Sequence, residues 1–155
     1  RYGDLSVKER KDRMDAAMHV SSFNAVLPDF KQGLETHVGK QYAMPEDQAV
    51  EMSGGQNQLL AIARTLYRNA RLYFFYEPTS AVDAEKEERF FGAIPESLRG
   101  KAVIFVSHRF STLRRAERII VLDQGRVIED GTHEALIAKK GRYAELFTLQ
   151  AKMYQ

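Results

Sequence analysis

Two short segments, residues 71–76 and 101–107, constrain the fold of this chain more than anything else in it. Both are almost continuously apolar, rich in aromatic or β-branched residues, and too short for a buried helix. They read as strands of a parallel sheet buried on both faces. Between them Asp83 is placed to cap a helix running to about Phe91, with Pro95 disturbing its end. Strand, helix, strand is a crossover unit, and such crossovers are right-handed. Residues 118–122 and 126–129 then flank Asp123-Gln124-Gly125, a hairpin turn with glycine where positive φ is needed. The pattern predicts an α/β layered architecture with a parallel core sheet.

The rest of the chain reads as helix and connection. Ser6 followed by Glu9 is a capping box, predicting a helix over residues 7–19. A shorter helical stretch from Ser22 should stop by Leu27, because Pro28 cannot continue the ladder. Residues 33–50 have no sustained period and read as loop. Ser53 is an N-cap for a strongly periodic helix whose stripe is Leu59, Leu60, Ile62, Ala63 and Leu66, ending near Asn69. Thr132 caps a further helix, and Tyr143, Leu146, Phe147, Leu149 and Met153 form the stripe of a last one.

Composition narrows the function classes. At 155 residues the chain has the size of one ordinary domain, and its formal charge of +2 argues for no nucleic-acid footprint. No apolar run approaches the roughly 18 residues that a membrane span needs. With zero cysteines there is neither a disulfide framework nor a thiolate metal site. The chain starts Arg1-Tyr2-Gly3 without initiator methionine or secretory leader, and it reads as a piece of something longer.

Three places carry chemistry. Ser53-Gly54-Gly55-Gln56 puts a hydroxyl and two glycines at the start of a long helix, where unhindered amides and the positive end of the macrodipole suit a phosphate. Alone, such a sequence is more often a simple cap. The strand 71–76 runs into Glu77-Pro78-Thr79-Ser80, so a carboxylate sits at the C-terminal edge of a parallel sheet, where open α/β folds bind ligands. The strand 101–107 ends in the same way at Ser107-His108. A carboxylate and an imidazole at one sheet edge could orient a water against a phosphate, since phosphoryl transfer relies on positioning and electrostatics.

Taken in order and spacing, Met52-Ser53-Gly54-Gly55-Gln56, residues 72–77, Ser80-Ala81-Val82-Asp83 and Ser107-His108-Arg109 resemble the ATP-binding cassette ATPases. They match that family's signature loop, Walker B strand, D-loop and switch histidine. Arg1-Tyr2-Gly3-Asp4 is similar to the segment after the Q-loop, and Thr36-His37-Val38-Gly39 to the exporter-type X-loop. Gly131-Thr132-His133-Glu134 and the segment from Gly141 to Leu146 resemble the tail of bacterial exporters. The resemblance implies the distal half of a P-loop NTPase (RecA-like) core plus the family's α-helical subdomain. Residues 1–69 would be the helical subdomain ending in the signature helix, and residues 70–155 the C-terminal half of the ATPase core.

It also implies roles. Two cassettes would sandwich two ATP molecules head to tail, with Ser53, Gly54, Gly55 and Gln56 against the γ-phosphate held by the opposite subunit. Glu77 would polarise the attacking water, His108 would contact the γ-phosphate, and Asp83 would sit at the dimer interface and connect the two sites. The partners implied are a second nucleotide-binding domain and an upstream transmembrane domain on the same polypeptide, at the cytoplasmic face of the bacterial inner membrane. A soluble cassette ATPase acting on DNA or ribosomes is the rival class; the long insertions usual there do not occur, and no nucleic-acid partner is expected.

The sequence departs from the family twice. No Gly-rich loop ending in Gly-Lys-Ser or Gly-Lys-Thr occurs in the 155 residues, so this piece alone is expected neither to bind ATP tightly nor to hydrolyse it. Tyr76 stands where the family has the aspartate that supports Mg²⁺, and a neutral phenol is a poor replacement for a carboxylate around a hard cation. Either the change is tolerated, or the chain belongs to a degenerate subunit that binds nucleotide and regulates a partner. Leu59, where the family often carries Lys or Arg, reads as a more apolar helix face. His19, His37 and His133 have no neighbours at ligand spacing, the aromatic run 73–76 reads as core, and residues 85–89 read as a solvated helix face.

Overall fold

A computed structural model of the chain describes residues 6–39 and 50–153. The resemblances at residues 1–4 and part of the loop expected over 33–50 lie outside them. The chain divides into two compact units, residues 1–104 and 105–155.

In the first unit, α1 (Val7–Val20) opens with the expected capping box: the Ser6 hydroxyl accepts from Glu9 N–H and the Glu9 carboxylate accepts from Ser6 N–H. Ser22 then turns the chain at φ 61°. Pro28 does not end a helical stretch as the sequence suggested. It lies inside a second 3₁₀ turn, Leu27–Asp29, directly after a first one at Phe23–Ala25, because an early helical position needs no proline N–H. A third 3₁₀ turn, Gly33–Glu35, sits within the expected loop, and Val38 makes an isolated parallel bridge with Val50. Helix α2 (Gly54–Tyr67) follows, its cap Ser53 as expected. Met18, Phe23, Phe30, Met52, Leu59 and Ala63 form the core between α1, the turns and α2. Leu59, only 3% exposed, is therefore a core residue, which accounts for an apolar side chain there.

Strand β1 (Leu72–Tyr76) is hydrogen-bonded to β2 (Ala102–Val106), and α3 (Ala84–Ser97) connects them. The N–H of Ala102 donates to the carbonyl of Arg71 at 3.0 Å, so the strand starts lie side by side and the pair is parallel. Burial on both faces is not what the structure shows. Tyr73 and Phe75 are buried, Phe75 packing edge-on against Phe90 of α3, whereas Leu72, Phe74 and Tyr76 are 55%, 59% and 72% exposed. Among the described residues that second face stays largely exposed, so the aromatic run is half core and half surface. Pro95 does not disturb α3 either: the helix continues to Ser97, since a proline in the last turn removes a single ladder bond while Ile94 and Leu98 stay anchored in the interior. Arg89 pairs with Glu85 on the solvated side, but Glu87 from the same charge run is buried.

In the second unit, α4 (Phe110–Leu113), which the sequence did not announce, precedes a hairpin of β3 (Ile119–Asp123) and β4 (Arg126–Gly131). Its turn residues Gln124 and Gly125 both have positive φ, 45° and 74°, the geometry of a two-residue hairpin loop. Helices α5 (His133–Lys139), capped by Thr132, and α6 (Arg142–Met153) pack Leu136 and Tyr143 against Ile119. Leu149, expected in the stripe of α6, is 52% exposed.

The start of α6 is held by a buried carboxylate. Glu129, 6% exposed, accepts from the backbone N–H of Tyr143 at 2.7 Å, with the Lys139 ammonium 4.0 Å from its other oxygen. A Cβ at position 141 would stand 1.9 Å from that carboxylate, so any other residue there must push the Glu129 carboxylate off the Tyr143 amide. Gly141→Ala is expected to displace Glu129 and destabilise this unit by about 2–4 kcal/mol. Hydrogen exchange at the Tyr143 amide should then quicken by about 30-fold or more; an unchanged rate would contradict the clamp.

Candidate active site

The start of α2 leaves four backbone N–H groups without helical partners, those of Ser53, Gly54, Gly55 and Gln56. The capping box satisfies two: Gln56 Oε1 accepts from Ser53 N–H at 2.9 Å, and Ser53 Oγ accepts from Gln56 N–H at 3.2 Å. The amides of Gly54 and Gly55 are what this helix start can offer to an anion, with the macrodipole behind them. Around Gly54 a Cβ would meet nothing within 4 Å, so the approach is open. Gly55 has a different constraint: a Cβ there would stand 2.7 Å from the carbonyl oxygen of Ala81. The glycine lets the helix start lie directly against the loop that follows β1.

Glu77 opens that loop. It sits at φ 45°, the left-handed region, which is uncommon for a side chain of this size and costs on the order of 1 kcal/mol. The turn is closed by Ser80 N–H to Glu77 C=O at 3.3 Å and by Val82 N–H to Thr79 C=O at 3.1 Å. Gln58 of α2 grips it from the side. Its Nε2 donates to Glu77 C=O at 2.9 Å and to Ser80 Oγ at 3.1 Å, while its Oε1 accepts from Ala81 N–H at 2.8 Å. The helix start and the carboxylate-bearing loop are thus one joined substructure.

Asp83 ends the loop and caps α3. One carboxylate oxygen accepts from Lys86 N–H at 3.0 Å and the other pairs with the Lys86 ammonium. These bonds from Lys86 hold its carboxyl below the usual carboxylate range, so the cap stays ionised at neutral pH and weakens only as pH falls through that lowered value.

His108 belongs to the second unit. It is exposed, and its carbonyl accepts from Gln150 Nε2 of α6 at 3.0 Å. Gln150 Oε1 accepts from Phe110 N–H at 2.9 Å, and Ser107 Oγ accepts from Arg109 N–H at 3.1 Å. The structure therefore joins Gly54, Gly55 and Glu77 within one unit, and fixes the backbone around His108 within the other. His133, which has no neighbours at ligand spacing in the sequence, bonds the hydroxyl of buried Tyr143 at 2.9 Å.

The fit to phosphate and to metal differs. A phosphate oxygen matches the two glycine amides that this helix start leaves without intrahelical partners. For Mg²⁺ the residue beside Glu77 is Tyr76, 72% exposed and without a carboxylate, and among the described residues no group of three His, Asp or Glu side chains could hold a metal. The residues present do not complete a Mg²⁺ shell. An apolar cleft of about 710 Å³ lined by Met14, Met18, Phe23, Leu60, Leu72 and Phe74 includes neither Glu77 nor the start of α2.

The glutamines Gln58 and Gln150 escaped the sequence reading. Each lies off its helix's apolar stripe, and nothing in the sequence says which distant backbone a carboxamide will meet.

Comparison with known proteins agrees with the motif reading. No protein-family model matches the chain. It is 42% identical over 147 residues to a protein of Pseudomonas fluorescens named ATP-dependent lipid A-core flippase, covering 94% of this chain and 23% of that protein. It is 40% identical over 151 residues to a protein of that name from Methylobacillus flagellatus, covering 96% of this chain and 24% of that one. Its fold superposes with a TM-score of 0.78, at 34% identity, on a bacterial Atm1-family ABC exporter with ATP bound, over 90% of this chain and 23% of that one. The chain spans about a quarter of the length of the relatives it matches. In sequence and in fold, it belongs to the nucleotide-binding domains of the bacterial ATP-binding cassette exporters.

Proposed function

We propose that this chain supplies half of each composite ATP site in an exporter that works as a head-to-tail dimer of nucleotide-binding domains. Residues 1–69 act as the helical subdomain ending in the signature helix, and residues 70–155 as the distal part of the ATPase core. The observation that carries the reading is the joined pair at one end of α2: the two glycine amides without helical partners and, clamped to the same helix by Gln58, the carboxylate loop of Glu77.

The chemistry follows from these groups. The amides of Gly54 and Gly55, with the Ser53 hydroxyl, receive the γ-phosphate of the nucleotide held by the opposite subunit, and Gln56 keeps the cap closed behind them. Glu77 of each chain accepts a hydrogen bond from the attacking water and polarises it toward the γ-phosphate of the chain's own nucleotide. His108 donates to that γ-phosphate, and Asp83, capping α3 next to the loop, lies at the dimer interface. Closure of the dimer on ATP and its reopening after hydrolysis drive a transmembrane domain on the same polypeptide, at the cytoplasmic face of the membrane. The names of the relatives point to a lipid as the transported substrate.

Tyr76 supports a second reading, a subunit that binds nucleotide but turns over slowly and regulates a partner. Purified full-length protein in liposomes decides between them. Vanadate-sensitive ATP hydrolysis with ATP-dependent transfer of a labelled lipid between leaflets is expected on the first reading. ATP binding without either supports the second, and neither binding nor turnover overturns both.

A further inference from the structure

We propose that Gln58 and Gln150 are positioning residues, each fixing with a two-point carboxamide clamp the backbone that carries one of the two candidate catalytic side chains. The inference rests on the roles given above to Glu77 and His108.

The two clamps share a design. Each glutamine reaches from a helix to a loop directly after a strand, 19 residues away in sequence for Gln58 and 42 for Gln150. Each donates through Nε2 to the carbonyl of the candidate catalytic residue itself, at 2.9 Å for Glu77 and 3.0 Å for His108. Each accepts through Oε1 from a backbone N–H a few residues on, Ala81 at 2.8 Å and Phe110 at 2.9 Å. Among side chains in their usual neutral-pH forms only a primary carboxamide both donates and accepts from one planar end, and turning it over would set like groups against each other on both sides. The orientation is therefore fixed by its partners.

The need is clearest at Glu77. Its φ of 45° is a conformation that a free chain visits rarely, so its side chain aims correctly only while something holds the turn. Gln58 bonds the carbonyl of that residue and the N–H four residues on, which spans the whole turn. It also ties the turn to the helix whose first amides receive the partner's nucleotide, while Gly55 keeps the two backbones in contact at Ala81. Small errors in placing a reacting group are costly, about 10²-fold in rate for a displacement near 1 Å. Loss of a clamp should thus lower turnover without weakening nucleotide binding.

The test uses full-length protein and the near-isosteric changes Gln58→Glu and Gln150→Glu, which keep the acceptor and replace the donor by an oxygen facing a carbonyl. Gln58→Met and Gln150→Met, which remove both backbone bonds of each clamp, and for Gln58 the bond to Ser80 Oγ as well, without adding charge, are read beside them. The expected result is a fall in kcat of about 10- to 100-fold for each, with KM for ATP within about twofold and Tm within about 2 °C of the parent. In a Glu77→Gln background, Gln58→Met should change the residual single-turnover rate by less than about twofold, because it acts through a residue already disabled. A kcat within twofold of the parent for both Gln58 variants, or for both Gln150 variants, would overturn that clamp. A fall in Tm or loss of folding in both variants at a position would make its glutamine a stability element and overturn the proposal equally. The underlying reading fails separately: if Glu77→Gln alone leaves turnover intact, the assignment of Glu77 is wrong whatever the glutamines do.

Discussion

Glu77→Gln in the full-length protein is expected to lower ATP hydrolysis by at least about 100-fold while nucleotide-driven closure of the dimer persists. Glutamine keeps the shape, the chain length and a hydrogen-bond acceptor, so the turn closed by Ser80 and Gln58, which holds the backbone rather than the side chain, should survive. What would disappear is the negative charge proposed to polarise the attacking water, and a positioned base of this kind contributes typically about 10²–10⁴-fold. On the proposed function binding would use other groups, chiefly the glycine amides of α2, so affinity for ATP should change little. Cross-linking between subunits in the presence of ATP reads closure, and phosphate release reads turnover. Hydrolysis near the parent rate would remove Glu77 from the mechanism. Loss of closure together with hydrolysis would show that the carboxylate holds the loop rather than the water.

The opposite sign is expected for Tyr76→Asp. Tyrosine at the end of β1 places a neutral phenol where the family resemblance calls for an anionic oxygen near Mg²⁺, and the side chain is exposed, so a shorter carboxylate needs no repacking of the core. A restored anion should lower the Mg²⁺ concentration needed for half-maximal hydrolysis and raise the rate at saturating Mg²⁺. A metal contact recovered in the transition state is worth several kcal/mol, on the order of 10²-fold in rate. The measurement is a Mg²⁺ titration of hydrolysis in the full-length parent and variant. Coincident titration curves would contradict the idea that Tyr76 limits the metal.

The sequence made some of this architecture legible and hid the rest for identifiable reasons. Local chemistry could be read directly: the capping box at Ser6, the caps at Ser53, Asp83 and Thr132 and the hairpin at Gln124-Gly125 depend on residues within four positions of each other. Burial could not. The continuous apolar run of β1 says that both faces accept apolar neighbours, but only the structure shows that Tyr73 and Phe75 are buried while Phe74 and Tyr76 are exposed. Proline misled twice, at Pro28 and Pro95, because its cost depends on where in a turn its missing N–H falls. The candidate site divides in the same way. Gly54, Gly55, Glu77 and His108 were readable from residue type and position in a motif. Gln58, Gln150 and the carbonyl of Ala81 against Gly55 are contacts between segments distant in sequence, and a single sequence carries no signal for them.

The central claim is that the helix start of one subunit completes the site where Glu77 of the other works, and mixed dimers of the full-length protein test it most directly. One subunit carries Gly54→Asp, whose charge repels a γ-phosphate at a position with open space for a side chain; the other carries Glu77→Gln. Each variant alone is expected to be inactive. If the sites form across the dimer, the mixed dimer keeps one site with an intact helix start from one subunit and an intact Glu77 from the other, and it should hydrolyse ATP at a tenth of the parent rate or more. A dimer of the parent with a subunit carrying both changes should then be inactive. The reverse pattern, an inactive mixed dimer and an active dimer of parent with double variant, would show that each chain works alone and would contradict the account.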